Sequence, residues 1–235
     1  MIKVVLIDID NTLLDFDAYV RASMKNGFHI FNLGPYEESM FLVFEKINIE
    51  MWRRIEEGSL TYEELLRERW NKIFSELDLS FDGCRFEKYF RECLFDSAIP
   101  VDGAMDLLDH LKDRYLLCVA SNGPYEQQLN RLKKADMLSY FSKVFISEKI
   151  GASKPSAEFF ASCLGELNFD RAEQGLPALL PEEIIMIGDS LSSDIIGAAD
   201  FGIKTCFFDK NTKGNIDGLP IDYVVSSLDA IRSVL

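Results

Sequence analysis

The first residues of the chain combine an apolar run with an acidic end. Residues 3–8 carry four large apolar side chains in succession, from Val4 to Ile7, and end at Asp8. An unbroken apolar run of this length predicts a strand that is buried on both faces. The acidic residues that follow are therefore expected to turn outward where the strand ends.

Between residues 17 and 97 the apolar positions recur mostly every third or fourth residue, which predicts helices. One such stripe consists of Phe28, Phe31, Phe41, Phe44, Ile47, Met51, Trp52 and Ile55. The segment Gly58–Thr61 is predicted to end that helix. Thr61 and Glu64 have the spacing of a capping box, which predicts the start of the next helix. A further helix is predicted near Phe86–Leu94.

Beyond Pro100 the pattern changes to short apolar runs that alternate with helical segments. The predicted strands are 115–120, 143–146, 184–187, 204–208 and 222–225, and the predicted helices are 124–135, 157–167, 193–200 and 228–234. This alternation predicts an α/β fold with a parallel sheet that is covered on both faces. The helical block then forms a second domain, so we expect a core domain of residues 1–16 and 98–235 and a helical cap domain of residues 17–97. The polar segment Asn168–Pro181 is predicted to be a surface insertion.

Composition and charge narrow the range of partners. The 235 residues include 39 acidic and 25 basic side chains, which gives a formal net charge of −14. Such a charge repels nucleic acid and anionic membranes, so neither is expected as a partner. No apolar run approaches the roughly 20 residues that span a bilayer. An anionic substrate would need local positive charge, which a bound cation and one lysine would supply.

The cysteines and histidines exclude further classes of site. The five cysteines are odd in number and show no CxxC spacing, which indicates reduced thiols in a cytoplasmic protein. The two histidines, His29 and His110, lie far from each other and from the cysteines. A zinc site and a histidine-based catalytic triad are therefore both disfavoured.

The segment Asp8–Thr12 carries two acids directly after the first predicted strand. Side chains two apart on an extended chain point the same way, so Asp8 and Asp10 are expected to face one site. One carboxylate would attack phosphorus and form an aspartyl phosphate. The other would protonate the leaving oxygen and later deprotonate water. Taken alone, the pair also fits two exposed acids at a strand end.

Three more polar clusters follow or adjoin predicted strands. Ser121–Gly123 offers a hydroxyl and backbone N–H groups to a phosphate oxygen, although a helix cap has the same pattern. Lys154 would stabilise a transferring phosphoryl group, although most such lysines are solvated. In Gly188–Asp194, Asp189 is a suitable ligand for a hard cation, and capping is the alternative. Carboxyl ends of parallel strands meet at one edge, so the four clusters are expected to form one site for phosphoryl transfer.

Taken in order, these clusters resemble the four motifs of the haloacid dehalogenase (HAD) superfamily. The matching residues are DxDxT at Asp8–Thr12, the hydroxyl residue Ser121, Lys154, and GDSxxSD at Gly188–Asp194. The resemblance extends over nearly the whole chain. It implies a Rossmann-like parallel-sheet core with an all-helical cap inserted soon after the first motif.

The resemblance also implies a role for each residue. Asp8 is the expected nucleophile, Asp10 the general acid and base, and Lys154 the cation that steadies phosphate and nucleophile. The expected Mg²⁺ ligands are the carboxylates of Asp8 and Asp189, the main-chain carbonyl of Asp10, and Asp194 either directly or through water. The expected substrate-binding residues are Ser121, Asn122 and Thr12.

Further segments resemble the pyrimidine 5′-nucleotidases within this superfamily, namely Asp15–Asp17, Glu57–Thr61, Phe145–Gly151 and Thr205–Phe207. The resemblance implies a Mg²⁺-dependent phosphatase for a small phosphorylated metabolite, in particular a pyrimidine nucleoside 5′-monophosphate. Phe16, Phe28 and Trp52 are candidates for contact with a base, or else belong to the core of the cap. A monomer or a homodimer is expected.

Other substrates stay open, whereas other chemistries on this fold are disfavoured. A phosphatase of this kind could instead act on sugar phosphates or phosphoglycolate, and a phosphomutase would return the phosphoryl group to a sugar. A phosphonatase would need a cap lysine, for which Lys25, Lys46, Lys72 and Lys88 are available. A dehalogenase would need neither a metal nor a carboxyl at position 10. A non-catalytic binding protein would be expected to have lost Asp8 or Asp10.

Overall fold

A parallel six-stranded sheet forms the centre of the computed structural model, which describes residues 1–210, 216 and 218–235. The strands are β1 Val4–Ile7, β2 Leu116–Ser121, β3 Lys143–Ile146, β4 Ile184–Gly188, β5 Lys204–Phe208 and β6 Tyr223–Val225. They lie in the order β3-β2-β1-β4-β5-β6, and every neighbouring pair is parallel. This is the strand order of a Rossmann-type fold, so the predicted fold class is confirmed.

Helices lie between strands of the sheet, and one follows β6. They are α1 Phe16–Ile30, α2 Glu38–Glu56, α3 Tyr62–Glu76, α4 Gly83–Phe95, α5 Ala104–Leu111, α6 Tyr125–Lys134, α7 Ser147–Ile150, α8 Ala157–Glu173, α9 Gly197–Asp200 and α10 Leu228–Ile231. A π-helical turn, Leu191–Ile196, comes directly before α9. No helix in the described part of the chain is both long and apolar enough to cross a bilayer.

Several of these helices differ from the sequence prediction. α5 and α7 have no counterpart among the predicted elements, and α10 ends at Ile231, three residues before the predicted end. α8 continues to Glu173, so the first part of the predicted insertion 168–181 is helical. Its apolar residues Phe159, Phe160, Cys163 and Leu167 are buried, and this packing supports a helix that then extends into the polar segment.

The sheet has an apolar core on each face, because side chains alternate along its strands. Val5 and Ile7 of β1 pack in the cluster that includes residues of α5 and α10. Val4 and Leu6 pack in the opposite cluster, with residues of α8 and α9. A strand buried on both faces needs apolar residues at every position, which explains the unbroken run at the start of the chain.

The chain divides into two compact units. One comprises Met1–Asp15 and Ala98–Leu235 and contains the sheet; it is called the sheet unit below. The other comprises Phe16–Ser97, contains α1 to α4, and is called the helical unit. The structure divides the chain at residue 15, one residue before the boundary expected from the sequence.

Aromatic side chains fill the core of the helical unit. Trp70 lies against Phe86 with 4.2 Å between ring centroids, and against Phe90 with 5.3 Å. Phe28 is buried in the same cluster, so it is a core residue of this unit. Phe16 packs at the edge of this cluster, whereas Trp52 packs with Tyr62.

The apolar stripe between residues 28 and 55 belongs to two helices, whereas its spacing predicts one. α1 ends at Ile30 and α2 begins at Glu38. Gly34 between them has φ +98°, a conformation that side chains other than glycine avoid, and Pro35 has no N–H to continue a helix. The predicted capping box is confirmed: Glu64 N donates to Thr61 Oγ1 (3.2 Å), and Thr61 N donates to Glu64 Oε2 (2.9 Å).

A buried ion pair lies within the helical unit. Arg69 donates from Nη2 and Nε to the two carboxylate oxygens of Glu87 (2.7 and 3.1 Å), and from Nη1 to Asn48 (2.8 Å). Both side chains of the ion pair are no more than 5% exposed. The bidentate geometry compensates for the loss of water around the two charges, so each charge depends on the other.

We expect Glu87→Leu to lower the free energy of unfolding by about 3–5 kcal/mol, because it leaves the Arg69 guanidinium buried without its counter-charge. Addition of Arg69→Met should recover much of that loss. Urea unfolding followed by tryptophan fluorescence measures this unit specifically, since both tryptophans of the chain, Trp52 and Trp70, lie in it. The control is Glu50→Leu, which removes an exposed partner of Arg53 and should cost less than about 1 kcal/mol. Equal losses of stability in Glu87→Leu and Glu50→Leu would contradict a stabilising role for the buried ion pair.

Candidate active site

Three strands of the sheet end in polar residues at the same edge. β1 lies between β2 and β4, and Ile7 is in register with Val119 and Ile187. Asp8 therefore follows β1 between the end of β2 at Ser121 and the end of β4 at Gly188. Because the three strands are parallel, their carboxyl ends form one edge, and the four predicted clusters meet there.

Three acids come together at this edge. Carboxylate oxygens of Asp8, Asp189 and Asp194 lie within 4.8 Å of one another, which is the spacing of ligands around one metal ion. Asp8 and Asp194 are buried, at 7% and 1% exposure, whereas Asp189 is half-buried. Carboxylate oxygens are the donors that hard divalent cations prefer.

Lys154 lies among these carboxylates with its ammonium group fully hydrogen-bonded. Nζ donates to Asp8 Oδ1 at 2.7 Å, to Asp194 Oδ1 at 2.5 Å and to the carbonyl of Ala120 at 2.6 Å. The side chain is 2% exposed, so this lysine is not solvated. An ammonium has three donors, and all three are used here.

The side chain of Asn122 holds the backbone of Lys154. Asn122 Oδ1 accepts from Lys154 N (3.0 Å), and Asn122 Nδ2 donates to the carbonyl of Lys154 (2.9 Å). With both ends of its amide engaged, Asn122 joins the loop after β2 to the loop that carries the lysine. This geometry favours a supporting role for the Asn122 side chain over direct contact with a substrate.

Asp194 is oriented by two donors from different elements. Its Oδ1 accepts from Lys154, and its Oδ2 accepts from the backbone N–H of Ser190 (3.1 Å). Gly188 is required beside it, because a Cβ at that position would collide with the Asp194 carboxylate. The π-helical turn at 191–196 presents Asp194 to the cluster from the connection between β4 and α9.

The cluster carries more negative than positive charge. When ionised, the carboxylates of Asp8, Asp189 and Asp194 bring three negative charges, and Lys154 brings one positive charge, so two negative charges stay unbalanced. Buried charge of one sign is costly unless a counter-ion neutralises it. A divalent cation has the charge that would balance this cluster.

Burial and the negative charge of the cluster both shift the pKa values of its members. Burial raises the pKa of Asp8 from its ordinary value near 3.8 to about 7; Lys154 opposes the shift, and the charges of Asp194 and Asp10 add to it. Burial, with the charges of Asp8 and Asp194, raises the pKa of Asp189 well above its ordinary value. Burial by itself would lower the pKa of Lys154, but Asp194 and Asp8 raise it above the ordinary value, so the lysine stays charged.

The remaining predicted residues lie around this cluster. The Thr12 hydroxyl is buried and makes a long hydrogen bond to Asp189 Oδ1, at 3.4 Å. The Ser121 hydroxyl is also buried and donates over 3.4 Å to the carbonyl of Asn122. One N–H group of the segment expected to face a phosphate is engaged elsewhere, since Gly123 N donates to Ser147 Oγ (3.1 Å). In the helix that follows, Tyr125 N donates to Glu148 Oε2 (2.8 Å).

Two residues of α6 that the motifs do not include contact Asp10. Arg131 Nη1 donates to Asp10 Oδ1 at 2.6 Å, and Gln128 Nε2 donates to Asp10 Oδ2 at 2.9 Å. Their spacing of three places both on one face of the helix, beside the buried Leu132. In the sequence, these two residues could have been recognised as polar residues on the apolar face of a predicted helix. That pattern does not show which residue they contact.

Comparisons with known proteins agree with this geometry. The sequence model of the haloacid dehalogenase-like hydrolases matches residues 2–202. The HAD-hydrolase YfnB of Bacillus subtilis is 30% identical over 233 residues, which are 99% of this chain and 95% of that protein. The crystal structure of YfnB bound to magnesium superposes with a TM-score of 0.86, at 29% identity, and covers 100% of this chain and 98% of that one.

Two further relatives are pyrimidine 5′-nucleotidases. PynA of Streptococcus pneumoniae is 30% identical over 210 residues, which are 88% of this chain and 83% of that protein. YjjG of Escherichia coli is 24% identical over 232 residues, which are 98% of this chain and 96% of that protein. Since the family match includes all four polar clusters at the edge of the sheet, the chain belongs to the haloacid dehalogenase-like hydrolases.

Proposed function

We propose that this protein is a Mg²⁺-dependent phosphatase that hydrolyses small phosphomonoesters through an aspartyl phosphate on Asp8. The observation that carries the proposal is the Asp8 carboxylate, which is buried beside Asp189 and Asp194 and hydrogen-bonded to Lys154. A nucleophile, a fixed cation and a site for a divalent ion are the parts that phosphoryl transfer requires.

The donor set fits Mg²⁺. The cluster has only oxygen donors and two unbalanced negative charges, and Mg²⁺ is typically bound by one or two carboxylates together with water. Asp8 and Asp189 would bind it directly, with the main-chain carbonyl of Asp10. Both oxygens of Asp194 already accept hydrogen bonds from Lys154 and Ser190, which favours an indirect role through water. The magnesium bound in the YfnB structure supports this choice of ion.

A bound Mg²⁺ would offset the negative charge of the phosphoryl oxygens beside Asp8. In the first step the Asp8 carboxylate attacks phosphorus, the bond to the leaving oxygen breaks, and Asp10 gives its proton to that oxygen. In the second step Asp10 takes a proton from water, the water oxygen attacks phosphorus, and the bond to Asp8 breaks. Lys154 holds Asp8 in place during both steps, and the Ser121 hydroxyl is free to turn from its long contact towards a phosphate oxygen.

The substrate class that we propose is a nucleoside 5′-monophosphate with a pyrimidine base. The similarity to PynA and YjjG supports this choice over sugar phosphates and phosphoglycolate. In this proposal water hydrolyses the aspartyl phosphate, whereas a phosphomutase would return the phosphoryl group to a sugar. A phosphomutase is therefore not favoured. The cytoplasmic location and the monomeric or dimeric state stay predictions.

We expect Asp8→Asn to reduce kcat by about 10⁴-fold or more, because the amide cannot attack phosphorus. Hydrolysis of p-nitrophenyl phosphate with Mg²⁺ measures this. Asp200→Asn is the matched control, since Asp200 is an exposed acid on α9, and it should keep kcat within about 2-fold. Wild-type rates in Asp8→Asn would exclude Asp8 as the nucleophile.

Magnesium is expected to raise the melting temperature more at about pH 7.5 than at about pH 5.5. Because folding raises the pKa of Asp8, the metal-free protein loses stability as the pH rises from about 4 to about 7, where the carboxyl ionises. Mg²⁺ binds the ionised form, so it must displace protons at low pH. Saturating Mg²⁺ should add about 5 °C or more at the higher pH.

Thermal unfolding at both pH values, with Mg²⁺ or with a chelator, measures this difference. Asp8→Asn should lose most of the shift, whereas Asp200→Asn should retain it. An equal Mg²⁺ effect at the two pH values would contradict proton competition at this cluster.

Among phosphorylated metabolites, pyrimidine nucleotides are expected to give the highest kcat/KM. A screen of UMP, dUMP, dTMP, sugar phosphates and phosphoglycolate, with phosphate release as the readout, tests this. We expect at least one pyrimidine nucleotide to exceed the other classes by about 10-fold, a difference of about 1.4 kcal/mol in transition-state binding. Preferred turnover of a sugar phosphate would reject the nucleotidase assignment but keep the phosphatase.

A further inference from the structure

Both carboxylate oxygens of Asp10 accept hydrogen bonds from buried side chains of α6. Arg131 Nη1 donates to Oδ1 (2.6 Å), and Gln128 Nε2 donates to Oδ2 (2.9 Å). Two donors on different oxygens fix the plane of the carboxyl group as well as its position. The Asp10 side chain itself is 33% exposed, so its remaining lone pairs can face a substrate.

Arg131 also determines the orientation of Gln128. Its Nη1 donates to Gln128 Oε1 at 2.9 Å, so the amide oxygen faces the guanidinium and the amide nitrogen faces Asp10. Gln128 Nε2 donates in addition to Ser121 Oγ at 3.1 Å. The network therefore links the proposed acid and base to the hydroxyl proposed to bind phosphate.

An apolar side chain would stabilise α6 better than this network does. Arg131 is 1% exposed, and its Nε has no hydrogen-bond partner among the described residues. A buried guanidinium with an unpaired N–H is less favourable than an apolar side chain on the same face of the helix. A role in the reaction explains its presence better than a role in stability does.

We propose that Arg131 and Gln128 are positioning residues, which hold the Asp10 carboxyl in the orientation from which it transfers protons. The inference rests on the proposed function of Asp10. Arg131 and Gln128 keep their own protons throughout. The proton moves from Asp10 to the leaving oxygen in the first step, and from water to Asp10 in the second.

The test compares Arg131→Met and Gln128→Met with wild type on p-nitrophenyl phosphate and Mg²⁺. We expect kcat to fall by about 10²-fold, as for a misplaced proton-transfer group. KM should fall with it, so that kcat/KM for p-nitrophenyl phosphate changes less than about 3-fold, because the slowed step comes after release of p-nitrophenolate. Gln128→Met changes no charge, so it carries the test if Arg131→Met does not fold. Lys133→Met is the matched control, because Lys133 is exposed on the same helix, and it should keep wild-type kcat.

The first turnover separates positioning from a general loss of structure. p-Nitrophenolate is a good leaving group that needs little protonation, whereas hydrolysis of the aspartyl phosphate needs Asp10 as base. Rapid mixing of either α6 variant should therefore show a burst of about one p-nitrophenolate per site, followed by a slow steady state. A variant that has only lost structure would show a reduced burst.

A double substitution tests whether Arg131 acts through Asp10. In the Asp10→Asn background, Arg131→Met should lower kcat by no more than about 3-fold further, because effects on one functional unit do not add. A further loss of about 10²-fold would overturn the inference. Unchanged kcat in both α6 variants, or a burst that falls in proportion to the steady-state rate, would overturn it too. No Mg²⁺-dependent turnover by wild type would reject the proposed function, and this inference with it.

Discussion

The site depends on the buried ammonium of Lys154, which joins two carboxylates that would otherwise repel each other. Nζ contacts Asp8 from β1 and Asp194 from the turn after β4. It also contacts the carbonyl of Ala120 in β2, so one side chain connects three neighbouring strands at their carboxyl ends. One positive charge cannot balance three carboxylates, and the remaining negative charge makes the site suitable for a divalent ion.

The parallel sheet explains why residues so distant in sequence can share this charge. Asp8 and Lys154 are 146 residues apart in the chain, yet the parallel register of β1 with β2, and of β2 with β3, brings the loops that carry them to one edge. The backbone of Lys154 is held in turn by Asn122, and the Asp194 carboxylate by the backbone of Ser190. These supporting contacts place the reactive groups on rigid elements, as precise positioning requires.

The sequence predicted the sheet and its edge because both depend on local patterns. Apolar runs mark the strands, and the polar residues after them mark the edge. α5 has no counterpart in the prediction although Leu107, Leu108 and Leu111 have helical spacing, so the signal was present. The single stripe across residues 28–55 was wrong about the break between α1 and α2, since apolar periodicity does not register a turn at Gly34 and Pro35.

Local sequence patterns did not predict contacts between elements that are distant in the chain. The residue types of Gln128 and Arg131 do not indicate that both bind Asp10, because that pairing depends on how α6 packs on the sheet. Likewise, the engagement of Asn122 with the backbone of Lys154 changes the role expected of its side chain. Burial of Lys154 also had no local signal, because an isolated lysine before a proline is usually solvated; only the resemblance to the family motif placed this lysine beside Asp8.

The most direct measurement is a crystal structure of the protein with Mg²⁺ and beryllium fluoride, which mimics a phosphoryl group on a carboxylate. We expect the beryllium atom to be bonded to an Asp8 oxygen, Mg²⁺ to be bound by Asp8 and Asp189, and Lys154 to stay in contact with Asp8. Beryllium fluoride on another side chain, or Mg²⁺ bound away from Asp8 and Asp189, would contradict it.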